Sequence, residues 1–198
     1  MEFVKVNKKR ISFNGEVLNL EAYNIKKLKD IRSLHKHYNL KELYLEKNQI
    51  EDIEDLKSLF NLQRLHLEAN KITEIKGLKF LVKLTELELS GNQIRKIEGL
   101  NTLINLKNLN LAYNNITKIE GLHNLVNLER LNLSNNRITE VKGLENLKKL
   151  KFLHLSNNKI EKITDLENLK RVELIELVGN KISNFKKSSQ LAGIKVII

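Results

Sequence analysis

The side chains of this chain that could move protons or hold metals are five histidines and 24 carboxylates, and there is no cysteine. Without cysteine, a disulfide framework, a thiolate metal site and a cysteine nucleophile are all excluded. The histidines are His35, His37, His66, His123 and His154. His35-x-His37 could touch one ion, but two ligands do not complete a metal site. No glycine-rich phosphate loop, nucleophile elbow or pair of catalytic carboxylates is present. No catalytic residue, metal or cofactor is therefore expected, and the chain does not read as an enzyme. The conspicuous spacing belongs to asparagine: Asn48, Asn70, Asn92, Asn114, Asn136, Asn158 and Asn180 recur every 22 residues. An amide side chain both donates and accepts, so at a turn it can satisfy backbone groups that lack a ladder partner. These asparagines are expected to be structural.

The elements that would carry these residues follow from the same period. Seven 22-residue copies run from Leu40 to Gly193, beginning at Leu40, Leu62, Leu84, Leu106, Leu128, Leu150 and Val172. Counting that first residue as position 1, position 6 is Leu, position 9 Asn and position 11 Ile in every copy. Positions 1, 4, 14, 17 and 20 are apolar throughout, with Ser188 the single lapse. Positions 3 to 7 alternate, as a short strand with one buried face should. The three-residue spacing after position 11 predicts a loose helical or 3₁₀ return. Position 16 holds Gly77, Gly99, Gly121 and Gly143, with Asp55 and Asp165 elsewhere; Gly allows unusual dihedrals and Asp can cap a turn. One such unit cannot bury its apolar face alone, so neighbours must stack.

The ends differ from the middle. Residues 15–39 form a degenerate 25-residue unit, with Ile25 to Tyr38 spaced for a longer helix. Phe3 to Val6 and Ile11 to Phe13 predict short strands, and Asn14-Gly15 is a hairpin turn signal. The expected organisation is a cap over 1–39, the seven repeats over 40–193, and a terminal strand of a truncated eighth repeat over 194–198. Ile194 and Ile197 would hold positions 1 and 4 of that last unit, leaving an edge able to pair.

The pattern Leu-x-x-Leu-x-Leu-x-x-Asn-x-Ile-x-x-Ile-x-Gly-Leu-x-x-Leu resembles the leucine-rich repeat. Its 22-residue form with Ile and Gly-Leu is similar to the class of the protein phosphatase 1 regulatory subunit, and bacterial internalin-type proteins share the period. The resemblance implies an α/β fold: a right-handed solenoid with a curved parallel sheet on its concave face and short 3₁₀ or helical returns. It also implies protein binding, by a regulatory subunit or another interaction scaffold.

In such a fold positions 3, 5 and 7 point out from the concave sheet. In chain order from the cap they are Val17, Glu42, Arg64, Glu86, Asn108, Arg130, Phe152 and Leu174 at position 3. Position 5 holds Asn19, Tyr44, His66, Glu88, Asn110, Asn132, His154 and Glu176. Position 7 holds Glu21, Glu46, Glu68, Ser90, Ala112, Ser134, Ser156 and Val178. Two patches follow. Glu42, Glu46, Glu68, Glu86 and Glu88, with Tyr44 and His66, make an acidic surface that would repel phosphate and attract a basic partner. Phe152, Leu174 and Val178, with His154, make an apolar cluster of the kind that marks interaction surfaces, and Arg130 and Glu176 are further binding candidates on the same face. His66 and His154 stand four strands apart, roughly 19 Å, too far for one metal.

The composition has to be set against this map. The 198 residues carry 35 Lys and Arg against 24 Asp and Glu, a formal charge of +11. Apolar residues make up 41% and charged ones 30%, which is globular rather than disordered, and the lack of Pro excludes a Pro-rich linker. The surplus cation lies at the ends, in Lys8-Lys9-Arg10, Lys26-Lys27, Lys148-Lys149, Lys170-Arg171 and Lys186-Lys187. A nucleic-acid adaptor using those ends is the alternative function, though few aromatics accompany the lysines to stack bases. The start shows no secretory signal and no run is long enough to cross a bilayer, so a cytoplasmic protein with no membrane partner is expected, with the nucleus as the alternative in a eukaryote. It is expected to be a monomer, with pairing through the terminal strand as the alternative. Its partner is expected to present a basic or mixed basic and apolar surface.

Overall fold

A strand of a few residues, a polar turn and an apolar return, repeated every 22 residues, must bring each strand beside the last. The computed structural model describes residues 2–164, 166, 169–182 and 194–198, and it realises that geometry as a solenoid. β1 (Glu2–Val6) and β2 (Lys9–Phe13) form an antiparallel pair. β3 (Val17–Asn19), β4 (Glu42–Tyr44), β5 (Arg64–His66), β6 (Glu86–Glu88) and β7 (Asn108–Asn110) then line up in parallel. β8 (Arg130–Asn132), the two-residue β9 (Glu140–Val141), β10 (Phe152–His154), the two-residue β11 (Lys162–Ile163), β12 (Leu174–Glu176) and β13 (Lys195–Ile197) follow. The nine-stranded sheet runs β13-β12-β10-β8-β7-β6-β5-β4-β3, while β9 and β11 pair on the return side. The expected α/β solenoid with 3₁₀ returns is the fold observed.

Register follows the period. Cα partners are 22 residues apart from Glu42↔Arg64 to Phe152↔Leu174, and 25 apart at Val17↔Glu42. Leucines and isoleucines at positions 1, 4, 6, 11, 14, 17 and 20 stack into one continuous core, nearly all of them fully buried. Each ladder asparagine ties two turns together. Asn114 accepts from the Ile94 N–H at 2.9 Å and donates to the Leu89 and Leu111 carbonyls at 3.0 and 3.1 Å. Asn48, Asn70, Asn92, Asn136, Asn158 and Asn180 repeat the same bonds. Amides inside the core need such partners, because an unbonded one would cost about 1–3 kcal/mol.

Four local readings are corrected. The hairpin of β1 and β2 turns at Asn7-Lys8, both with positive φ (49° and 65°), and not at Asn14-Gly15. Asn14 instead accepts from the Glu16 and Val17 N–H groups at 3.0 and 2.9 Å and leads the chain into β3. The stretch from Ile25 to Tyr38 is two 3₁₀ turns, Leu28–Asp30 and Leu34–Lys36, in place of a longer helix. Ile25, Leu28, Ile31 and Leu34 recur every third position, which suits three residues per turn, and Ser33 breaks the run at φ 72°. In the first regular repeat the capping carboxylate is Asp52, which accepts from the Glu54 N–H at 2.8 Å, while Asp55 lies inside the 3₁₀ turn Glu54–Leu56.

The fourth concerns β13. Leu174 pairs with Lys195 and Ile175 with Val196, an offset of 21. Val196 therefore takes the inward position 4 and Ile197 the outward position 5, so Ile194 and Ile197 do not hold the expected places. A one-residue slip exchanges the two faces of a strand. Lys195 points outward in either register, and Val196-Ile197-Ile198 is apolar on both faces, so the pattern does not choose between registers. The Asp165 cap, the Ser188 lapse and the Lys186-Lys187 pair lie outside the described residues.

Candidate functional site

Strand pleating puts positions 3 and 5 of every repeat on one face, and the parallel register sets like positions side by side, about 4.8 Å apart. β4, β5 and β6 thus gather Glu42, Tyr44, His66, Glu86 and Glu88, and the residues following β4 and β5 add Glu46 and Glu68. The Tyr44 hydroxyl donates to Glu42 Oε2 at 2.7 Å, and the Arg64 guanidinium grips the other Glu42 oxygen. Those two bonds hold the Glu42 carboxyl below its ordinary pKa, and the Glu42 bond raises that of Tyr44. Tyr44 and His66 stack with centroids 4.6 Å apart and planes 22° apart. Glu42 is therefore largely neutralised, a role for Arg64 that column counting missed. Its signal was available, since Arg64 is the cross-strand neighbour of Glu42.

The anionic centre lies one strand further on, around His66. Its Nδ1 lies 3.3 Å from Glu68 Oε1 and its Nε2 3.6 Å from Glu86 Oε1. Burial alone would depress the imidazole pKa, but the Glu68 bond and the charges of Glu68, Glu86 and Glu46 outweigh it and raise it. Burial raises the Glu46 carboxyl, reinforced by Glu68. Burial pushes Glu88 up to about 7, against a lowering hydrogen bond from Asn110. Glu46 Oε2, Glu68 Oε2 and His66 Nε2 are buried atoms without a hydrogen-bond partner. One ligand atom each from Glu46, His66 and Glu68 lies within 4.8 Å of the others, close enough to share one cation or ammonium group. The separate histidine pairs weighed from the sequence did not reveal this grouping, which joins position 7 to position 5.

The second patch is also assembled. Arg130, Phe152 and Leu174 are register partners across β8, β10 and β12, and the Arg130 guanidinium carbon sits 5.0 Å from the Phe152 ring centroid. His154 Nδ1 lies 2.7 Å from Glu176 Oε2. β13 extends the sheet beside this patch and does not cover it: Phe152 and Leu174 stay half-buried and Val178 is exposed. His37 is used elsewhere, its ring nitrogens lying 2.6 Å from Glu2 Oε2 and 3.1 Å from the Phe3 carbonyl, which ties the β1–β2 hairpin to the cap. It is not available to pair with His35 on an ion.

Comparison with known proteins bears on what such a face does. A family model described as leucine-rich repeats, two copies, matches residues 60–102, 104–146 and 126–176. Among curated proteins no sequence matches. The solved structures that share the fold include these three. A leucine-rich repeat protein of Leptospira interrogans is 31% identical with a TM-score of 0.85, over 92% of this chain and 48% of that one. Internalin C2 of Listeria monocytogenes is 31% identical at a TM-score of 0.80, over 92% of this chain and 78% of that one. A second internalin (inlF) of the same organism is 28% identical at 0.77, over 88% and 51%. The chain thus spans about half the length of two of these three.

Proposed function

This chain belongs to the leucine-rich repeat family, and on that premise we propose that its sheet face docks a protein whose surface carries a lysine or arginine beside an apolar patch. Domains of this family serve as scaffolds that bind protein partners and are generally non-enzymatic. The observation that carries the finer reading is the convergence of Glu46, Glu68, Glu86 and Glu88 on His66, with two carboxylate oxygens buried and lacking a donor. A buried acceptor without a donor is unfavourable, and a partner ammonium brings three donors to that place. The Phe152, Leu174 and Val178 patch, at the other end of the same face, would bury against the partner's apolar surface and fix its orientation. One form of this function is a regulatory subunit that holds a catalytic partner, a form supported by the Ile-x-x-Ile-x-Gly-Leu pattern.

The test is retention of a partner from host-cell lysate by the immobilised protein. Replacing Glu86 and Glu88 by Lys should abolish retention, and Phe152→Asp should weaken it at least about tenfold if the apolar patch is an anchor. Circular dichroism of the variants establishes that the fold is intact. Retention that survives both changes would place the binding surface elsewhere.

A further inference from the structure

The sheet face is not the only surface on which the period repeats a side chain into solvent. Position 21 of successive turns holds Phe60, Val82, Ile104 and Val126, and Tyr38 takes the equivalent place, next to last, in the 25-residue unit before them. Each is between 44% and 54% exposed, whereas the leucine preceding each of the last four is fully buried. Tyr38 and Phe60 stack with centroids 6.4 Å apart and planes 10° apart. Asn61, Asn105 and Asn127 donate to the carbonyls of Tyr38, Val82 and Ile104 at 2.8, 2.9 and 2.8 Å, fastening each turn to the one before it at this point. The five side chains therefore form one line along the rim, where the return meets the strand. Core packing does not require them to be apolar, because Lys148 and Lys170 hold the same position in later repeats.

Single exposed apolar residues need no explanation, but a continuous row does. Its surroundings indicate what would cover it. In the three repeats spanning 40–105, the flanking positions 2, 18, 19 and 22 carry lysines, including Lys57, Lys79 and Lys83, and no carboxylate. The Lys79 ammonium lies 4.9 Å from the ring centroid of Phe80, a further exposed apolar side chain beside the row, so this lysine stem lies along apolar surface. A second copy laid rim against rim would set ammonium against ammonium. A peptide would meet side chains that stand out from the rim, and along it would find three carbonyls already taken by the asparagines. Protruding apolar side chains flanked by ammonium groups match the boundary of an anionic bilayer, where the former enter the acyl region and the latter reach headgroup phosphates.

We propose that this rim is a peripheral contact for an anionic lipid surface, with Phe60, Val82 and Ile104 at its centre. Among the described residues no helix is long and apolar enough to cross a membrane, so the contact is with the surface. The expectation of no membrane partner rested on the missing span and did not consider the rim.

The chain has no tryptophan, so a single one reports its own surroundings. Ile104→Trp places the reporter in the row, and Lys118→Trp, at an exposed site outside it, is the control. The probes are vesicles of phosphatidylcholine alone and with about 30% phosphatidylglycerol, in about 0.15 M salt. Anionic vesicles should shift the Ile104→Trp emission to the blue, with quenching by brominated acyl chains and no shift in the control. Adding Val82→Asp should weaken vesicle affinity by about tenfold or more, and position 21 tolerates charge, as Lys148 shows. Three results would overturn the proposal. They are an unshifted reporter with anionic vesicles, an equal shift in the control, and a shift without vesicles that grows with protein concentration, which would mean self-association.

Discussion

Glu88 occupies the centre of the acidic face and pays a penalty for charge there, since burial and the carboxylates of Glu68 and Glu86 lift its pKa to about 7. Its unfolded value is near 4.5, so between those two values the folded state binds the extra proton and stability falls as pH rises. His66 acts in the same sense: its folded pKa is raised above 6.5, so its contribution is complete below that value and is lost as pH rises through the folded one. Glu88→Gln should therefore stabilise the protein at pH 8 by about 1 kcal/mol, a figure discounted for the water the side chain still meets, and flatten the decline between pH 5 and 8. Urea unfolding at several pH values measures it, and an unchanged slope would remove Glu88 from the account. The three columns of the face could be read from the sequence because each residue's place follows from counting. The Arg64 clamp on Glu42 was legible in the same way, since the two are neighbours in one column, but the grouping of Glu46, His66 and Glu68 was not, because it depends on how long side chains bend between columns.

At the level of the element, four of the turns contain two left-handed backbone positions of different origin. Position 16 is Gly in four repeats, and at Gly99 (φ 72°) an added Cβ would lie 2.2 Å from the Ile75 carbonyl oxygen of the preceding turn. Position 8 is also left-handed in every repeat, yet it is filled by Lys47, Ala69, Gly91, Tyr113, Asn135, Asn157 and Gly179. The first site is closed by a neighbour and the second only by torsional preference. Gly99→Ala should accordingly cost about 2 kcal/mol or more, whereas Tyr113→Gly should change stability by less than about 1 kcal/mol. Denaturant midpoints at unchanged m-value would separate the two. Composition signals the first site and hides the second, because the strain of position 8 is small enough for many side chains to tolerate. The same distinction explains the register of β13. Where a strand alternates, as Leu87 between Glu86 and Glu88 does, the pattern sets which face is buried; where both faces are apolar, only the pairing itself decides.

The molecule as a whole is close to one-dimensional, since each turn touches mainly its neighbours and the core is a stack of repeating layers. In such an array a lesion is felt according to how many interfaces it interrupts. Asn114 in the middle and Asn180 near the end make the same three kinds of bond, so their chemistry is matched and only position differs. Asn114 is 7% exposed, while Asn180 is half-buried and can recover water when its amide is lost. Asn114→Ala should therefore cost about 3 kcal/mol and lower the midpoint of the main unfolding transition, because two well-packed interfaces fail together. Asn180→Ala should cost about half as much and loosen the last turns ahead of the rest. Hydrogen exchange followed by peptide gives the direct measurement. Protection lost only around β12 and β13 in Asn180→Ala, but across β5 to β10 in Asn114→Ala, is the expected outcome. Equal loss along the chain in both would mean that the stack unfolds as one indivisible unit, and that nearest-neighbour coupling is not what limits its stability.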